Sequence, residues 1–249
     1  GLDRGIRFLS QFNVGLSGLL LLFVLAAGPT VFLVELFLDA LGYYLQMLPY
    51  SSLHVQPGSR EDWQADWTLF YWSWWISWSP FVGVFVARIS RGRTLREFVL
   101  AALIVPSLGA FLWFAAFGGT ALSMVQGGTE ALAETVRQDE SLALFAVLER
   151  LPLHEVTWTL ATVLVIVFFV TSSDSGSLVD DIVTSGGHPD PPRAQRVFWA
   201  VAEGSVAAVL LYAGGLQALR TAALTTGVPI GLFLLVAAGC GSVGPTTYL

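Results

Sequence analysis

Apolar residues run through this chain in six long blocks separated by short polar breaks, near positions 13–34, 67–88, 98–124, 157–179, 197–214 and 217–240. Each block can cross about 30 Å of hydrocarbon, which takes roughly 20 residues in a helix. Lipid offers the backbone no hydrogen-bond partners, so the pattern predicts α-helices throughout. The Gly and Pro inside the blocks (Gly28-Pro29, Pro80, Pro106, Gly118-Gly119, Gly227-Val228-Pro229) then mark kinks or close helix contacts. Between the first two blocks, Glu35, Asp39 and Gln46 recur at helical spacing over Val34–Leu48. That spacing predicts an amphipathic helix in the outer interface, with continuation of the first span as the other reading. Gln126–Glu155 reads as an acidic external loop with a short helix around Ser141–Leu151, and Ser185–Arg193 as a Gly/Pro-rich internal loop. No soluble domain or repeat array interrupts the pattern, so residues 1–249 read as part of one membrane domain.

Composition agrees with this. Only 12% of the 249 residues are charged and 55% are hydrophobic, against about 25% charged in a soluble domain. The twelve basic residues are all Arg. With the first span leaving the cytoplasm, Arg4, Arg7, Arg88, Arg91, Arg93, Arg96, Arg193 and Arg196 fall inside; Arg60, Arg137, Arg150 and Arg220 fall outside. Eight against four favours this orientation in the plasma membrane. No basic stripe suits nucleic acid, and the single Cys240 excludes an intrachain disulfide or a Cys-cluster metal site. The polar start Gly1–Gln11 lacks an apolar signal region, and the end after Gly239 lacks basic anchors. Both termini read as cuts within a longer polypeptide.

The second block carries the most pointed chemistry. Trp63, Trp67, Trp72, Trp74, Trp75 and Trp78 place six of nine tryptophans within sixteen residues. Interfacial belts account for Trp63 and Trp67, but Trp74, Trp75 and Trp78 fall about half-way down the span. Tyr71, Trp75 and Trp78 form an i, i+4, i+7 stripe with Trp74 beside it. Such ring faces either pack a large bundle or cage a cation that cannot be hydrogen-bonded, a quaternary ammonium, at about 0.5–2 kcal/mol per ring. From the residues alone both readings stay open.

The segment from Trp67 to Glu97, WTLFYWSWWISWSPFVGVFVARISRGRTLRE, resembles the signature of the betaine/choline/carnitine transporter (BCCT) family. The likeness extends to Asp3-Arg4-Gly5-Ile6-Arg7, Phe117-Gly118-Gly119-Thr120-Ala121, Phe168 through Ser175 (FFVTSSDS) and Gly214-Gly215-Leu216-Gln217-Ala218-Leu219. It implies an all-α membrane protein with a LeuT-type inverted-repeat core, of which this chain resembles spans seven to twelve. By that resemblance Trp74, Trp75 and Trp78, with Tyr71, line the solute pathway, Trp75 contributes to the aromatic box, and gating by Trp78 is an alternative role. The remaining box would come from N-terminal spans outside this chain. The implied substrate is a quaternary-ammonium compatible solute such as glycine betaine, choline or carnitine, the implied setting the lipid bilayer, and a homotrimer is a family habit.

A hydroxyl cluster lies in the fourth block, at Thr171, Ser172, Ser173, Ser175 and Ser177. Such groups commonly bond back to the preceding turn or across to another helix. Alternatively, the Thr171 and Ser172 hydroxyls with the Phe168 carbonyl offer three neutral oxygens to sodium, a hard cation, provided the helix frees that carbonyl. The resemblance implies the second reading, with sodium as coupling ion and no other cofactor, and assigns Phe81 to a first sodium site. Sodium-independent exchangers of the family depart from the Trp-Ile-Ser-Trp-Ser-Pro and Thr-Ser stretches kept here. An exchanger and a channel remain as alternative functions. An intramembrane hydrolase would need a base near a Ser nucleophile, yet His54, His154 and His188 all fall in loops or at span edges. Among charged positions, Arg88–Arg96 reads as an inner basic loop for orientation, lipid contact or gating. Asp174 is expected to support its helix or line the inner exit, and Glu203 to make a structural hydrogen bond.

Overall fold

The computed structural model describes residues 2–55, 63–90, 92–188 and 191–241, and every regular element among them is helical. The chain has the architecture of an all-α membrane protein. Among the described residues, five helical stretches are long and apolar enough to cross a membrane: Phe8–Ala27, Thr30–Leu53, Arg96–Gln126, His154–Thr184 and Arg193–Ala237. The Trp-rich helix is not among them, because Trp, Tyr and Ser add little to mean hydropathy even where they sit at membrane depth. Of the inner basic loop, the side chains of Arg88 and Arg91 lie outside the described residues.

The contacts divide the chain into two compact units, each described by itself. The first holds α1 (Leu2–Ala27), α2 (Thr30–Leu53), α4 (Leu95–Trp113), a π-helical segment Phe114–Gly118, α5 (Gly119–Gln126), α6 (Glu130–Gln138), α7 (Ala143–Leu148) and the start of α8 (His154–Thr184). Its core joins Leu16, Leu20 and Val24 of α1 to Phe117, Leu148, Ala161 and Leu164. Where the expected first span ran unbroken over 13–34, a break stands at Gly28-Pro29. Pro29 has no amide hydrogen to continue the ladder, and α2 starts afresh at Thr30 as a helix of 24 residues. It is longer than the amphipathic segment expected over 34–48, and it is not a continuation of α1. The break is held tightly. A Cβ on Gly28 would lie 2.8 Å from the Val24 carbonyl and 3.0 Å from Thr120 Oγ1, while one on Gly119 would strike Leu33 and Leu36 at 2.6 and 2.8 Å. Within the polar loop, α6, a 3-10 turn at Glu140–Leu142 and α7 replace the single helix expected around Ser141–Leu151.

The second unit holds α3 (Phe70–Ile89), preceded by a π-helical segment Gln64–Leu69, the end of α8, and α9 (Arg193–Gly241). Helix α9 contains non-helical dihedrals at Gly214 and Gly215. Gly215, at φ 61° and ψ −154°, occupies a region essentially restricted to glycine. The break separates arms 193–213 and 216–241.

Candidate functional site

Helix α3 has two unlike faces. At about 100° per residue, Ser73, Ile76, Ser77 and Pro80 share one side. Tyr71, Trp74, Trp75 and Trp78 share the opposite one. The first side packs on the second arm of α9. A Cβ on Gly227 would stand 2.8 Å from the Ser73 carbonyl and 3.1 Å from its Cα, and one on Gly231 would touch Ile76 Cγ2 at 3.3 Å. This is the small-residue route to close helix approach in membranes, and Ser77 is buried in it. Sequence reasoning passed over this face, although its signal was readable: Ser73-x-x-x-Ser77 opposite Gly227-x-x-x-Gly231.

The Ser79 hydroxyl repairs the backbone of α3 at Pro80. Pro80 cannot donate to the Ile76 carbonyl four residues earlier, and Ser79 Oγ donates to that oxygen instead at 2.8 Å. Ser77 Oγ donates to the Trp74 carbonyl at 2.9 Å. The helix therefore carries proline at mid-length without exposing a bare carbonyl.

The aromatic face is continuous. Trp67 stacks on Tyr71 at 5.8 Å, Tyr71 and Trp74 lie 6.2 Å apart, Trp74 and Trp75 6.4 Å, and Trp75 meets Trp78 edge-on at 5.7 Å. Phe70 joins Trp74 at 5.8 Å, and the Arg220 guanidinium lies over the Phe70 ring at 5.6 Å. Trp75 remains 59% exposed, Trp78 50% and Trp74 47%. Their ring faces are thus not consumed by the α3–α9 contact, and one of the unit's own cations already uses a ring of this cluster. Phe81 lies on α3 just beyond Pro80 and is partly buried.

The hydroxyl turn lies on α8, which is unbroken over His154–Thr184. Thr171 Oγ1 donates to the carbonyls of Val167 at 2.9 Å and Phe168 at 3.0 Å. The back-bonding reading of this hydroxyl is therefore realised, and the helix does not open to release the Phe168 carbonyl. The same bond brings the Thr171 oxygen and the Phe168 carbonyl together. Ser172 and the Phe168 ring are exposed. Glu203 has the hydrogen bond expected for it, with Ser177 Oγ donating to its Oε2 at 2.8 Å. His54 caps α2, His154 opens α8 and His188 follows it.

Comparison with known proteins places these features in one lineage. The family model described as BCCT, betaine/carnitine/choline family transporter, matches residues 1–243. An uncharacterized transporter of Mycobacterium tuberculosis is 50% identical over 240 residues, covering 95% of this chain and 40% of its own length. A glycine betaine/proline/choline transporter of Vibrio parahaemolyticus is 48% identical over 240 residues, with 95% and 42% covered. A glycine betaine transporter of Bacillus subtilis is 43% identical over 238 residues, with 95% and 46% covered. The chain thus spans less than half the length of these relatives.

Proposed function

We propose that this chain, which belongs to the betaine/carnitine/choline (BCCT) family of transporters, forms one wall of the solute pathway in a multi-pass secondary transporter that moves quaternary-ammonium solutes with sodium. The observation carrying this reading is the two-faced α3. Its small side is spent on α9, and its electron-rich side at Tyr71, Trp74, Trp75 and Trp78 is left open. A trimethylammonium group offers no hydrogen-bond donor, so ring faces supply the attraction an ordinary polar pocket cannot. Several weak contacts, rather than one ion pair, also let the solute leave, as turnover requires. Relatives named for glycine betaine, proline and choline support the solute class.

The other walls of the cage would come from segments outside this chain, with which it would work as one transporter. Sodium, as co-transported ion, suits the neutral oxygens of Phe168, Thr171 and Ser172. Here the Thr171 hydroxyl bonds the Phe168 carbonyl within an unbroken α8, so this reading requires the turn to open when the ion binds. Phe81, next to Pro80, is the aromatic proposed for a first sodium site.

The test uses the full-length protein in liposomes and labelled glycine betaine or choline. Uptake is expected to saturate and to follow an inward sodium gradient. Trp75→Ala should raise KM about ten-fold, the loss of one desolvated ring face. Thr171→Ala with Ser172→Ala should raise the sodium requirement while membrane insertion is unchanged. Uptake unaffected by replacing sodium would turn the reading to an exchanger, and flux that never saturates would turn it to a channel.

A further inference from the structure

The second unit contains a polar seam for which neither the aromatic face nor the hydroxyl turn accounts. On α8, Ser177, Asp181 and Thr184 follow i, i+4, i+7 spacing with Asp180 beside them, and on α9, Gln195, Trp199 and Glu203 follow i, i+4, i+8. One end of the seam is closed by hydrogen bonds. Gln195 Nε2 donates to Thr184 Oγ1 at 2.7 Å and to the Asp181 carbonyl at 3.0 Å, and Trp199 Nε1 donates to Thr184 Oγ1 at 3.0 Å. Further along, Ser177 Oγ reaches Glu203 Oε2 at 2.8 Å.

Between these two closures the hydrogen-bond accounting fails. Asp181 is 2% exposed, and its Oδ1 accepts from no protein donor; Glu203 Oε1 is buried in the same condition. Arg196 and Glu203 both act electrostatically on Asp181, and Asp180 acts on Glu203. Arg196 also acts on Asp174, so two carboxyl groups draw on one guanidinium. Buried carboxylate oxygens can only accept, so the missing partner is a donor or a cation, and orphaned buried acceptors mark sites of ions or water. Among the described residues no three His, Cys, Asp or Glu side chains converge as a metal-ligand set. Two carboxylate oxygens and a hydroxyl suit one hard monovalent ion better than a caged divalent one.

We propose that Asp181, Glu203 and Ser177 form a binding site for a monovalent alkali cation at the α8–α9 seam. It lies nine residues beyond Ser172 along α8 and is independent of the coupling role given to that turn. The ion neutralises carboxylate charge and ties α8 to α9.

The experiment is equilibrium binding of radiolabelled sodium, and separately of radiolabelled rubidium, to the purified full-length transporter without solute. Asp181→Asn and Glu203→Gln should each abolish one equivalent of bound ion, and Ser177→Ala should weaken that equivalent about ten-fold. Thr171→Ala with Ser172→Ala should leave it in place, so failure of the coupling reading and failure of this one are read separately. Glu203→Gln keeps an acceptor for Ser177 and the side-chain shape, and it decides the matter if Asp181→Asn does not fold. The same number and affinity of bound ions in Glu203→Gln as in the parent overturns the proposal, whether the seam then holds water, a proton or a basic side chain from elsewhere in the polypeptide.

Discussion

The two units of this chain hold their helices together by different means. In the first, the contact is made of large apolar side chains: Leu16, Leu20 and Val24 of α1 interlock with Phe117, Leu148 and Leu164, and Leu20 is 1% exposed. In the second, α3 and α9 meet through Ser73, Ser77 and Gly227, and α8 meets α9 through hydroxyl, amide and carboxylate groups. The difference follows from what each contact leaves over. A leucine-built contact consumes whole helix faces. A contact built on glycine and serine needs only a narrow strip of α3, so the rest of its surface is free for tryptophans that face elsewhere.

The comparison breaks most visibly if both contacts respond alike to altered volume. Leu20→Ala in the first unit should cost about 3 kcal/mol, the cavity and lost dispersion of a fully buried leucine, read as a lower melting temperature of the full-length protein in detergent. In the second unit the sign of the volume change reverses. Gly227→Ala should cost about 2 kcal/mol by overpacking, because its new Cβ meets backbone atoms of Ser73 that trimming a side chain cannot remove. Gly231→Ala should be milder, since the nearest atom is the Ile76 Cγ2 methyl at 3.3 Å, a side-chain rather than a backbone atom. If Gly227→Ala melts with the parent, α3 and α9 are not held by close approach.

These contacts were unequally legible in the sequence. Helical class was readable because a long apolar block in lipid has few alternatives to a helix. The aromatic stripe was readable because Tyr71, Trp75 and Trp78 keep helical spacing. Gly28-Pro29 was read as a kink or a close helix contact, and the contact is there but the kink is a full break. Whether a Pro bends a helix or ends it depends on what packs at the gap, here Thr120 from elsewhere in the chain against Leu33 of the next turn. The π-helical segments Gln64–Leu69 and Phe114–Gly118 left no trace in hydropathy, which sums apolar content and ignores register. The expectation that Phe168, Thr171 and Ser172 lie together was local and could be read from one turn. Which carbonyl the Thr171 hydroxyl engages could not. For Glu203 the kind of interaction was anticipated, but its partner lies 26 residues away and pairing at that range has no local signal.

A smaller effect sharpens the picture of α3 itself. Ser79→Ala leaves the Ile76 carbonyl with neither the amide that Pro80 lacks nor the hydroxyl that now serves it. Loss of that bond should cost about 1 kcal/mol. The double change Ser79→Ala with Pro80→Ala should recover most of it, because residue 80 then donates to the same oxygen. Melting of the three variants beside the parent checks this. If Ser79→Ala is neutral, the hydroxyl bond contributes nothing and water or another segment serves the carbonyl.

The smallest expected effect sets one chemistry in two solvents. Ser177 bonds Glu203 within the seam, and Ser141 bonds Asp139 in the loop before α7, where Ser141 Oγ and its amide donate to Asp139 Oδ1 at 2.6 and 2.9 Å. Those two bonds, the hydroxyl first and the amide second, hold the Asp139 carboxyl below its ordinary pKa. A folded-state pKa lowered in this way contributes stability that is fully present above the unfolded value, about 3.9, and is lost as pH falls through the lowered one. Asp139 is open to water, which competes for every one of its lone pairs, so the gain should register in its titration and hardly in melting. A carboxyl-carbon titration of labelled full-length protein should place the Asp139 midpoint below that of a free aspartate. Ser141→Ala should move the midpoint up while the melting temperature at neutral pH stays with the parent. Ser177→Ala, the same deletion made inside the seam, should lower the melting temperature, because it strips a buried carboxylate of a donor that water cannot replace. Equal responses from the two serines would mean that the seam is wet, and the contrast between the apolar and polar helix contacts would then rest on glycine packing alone.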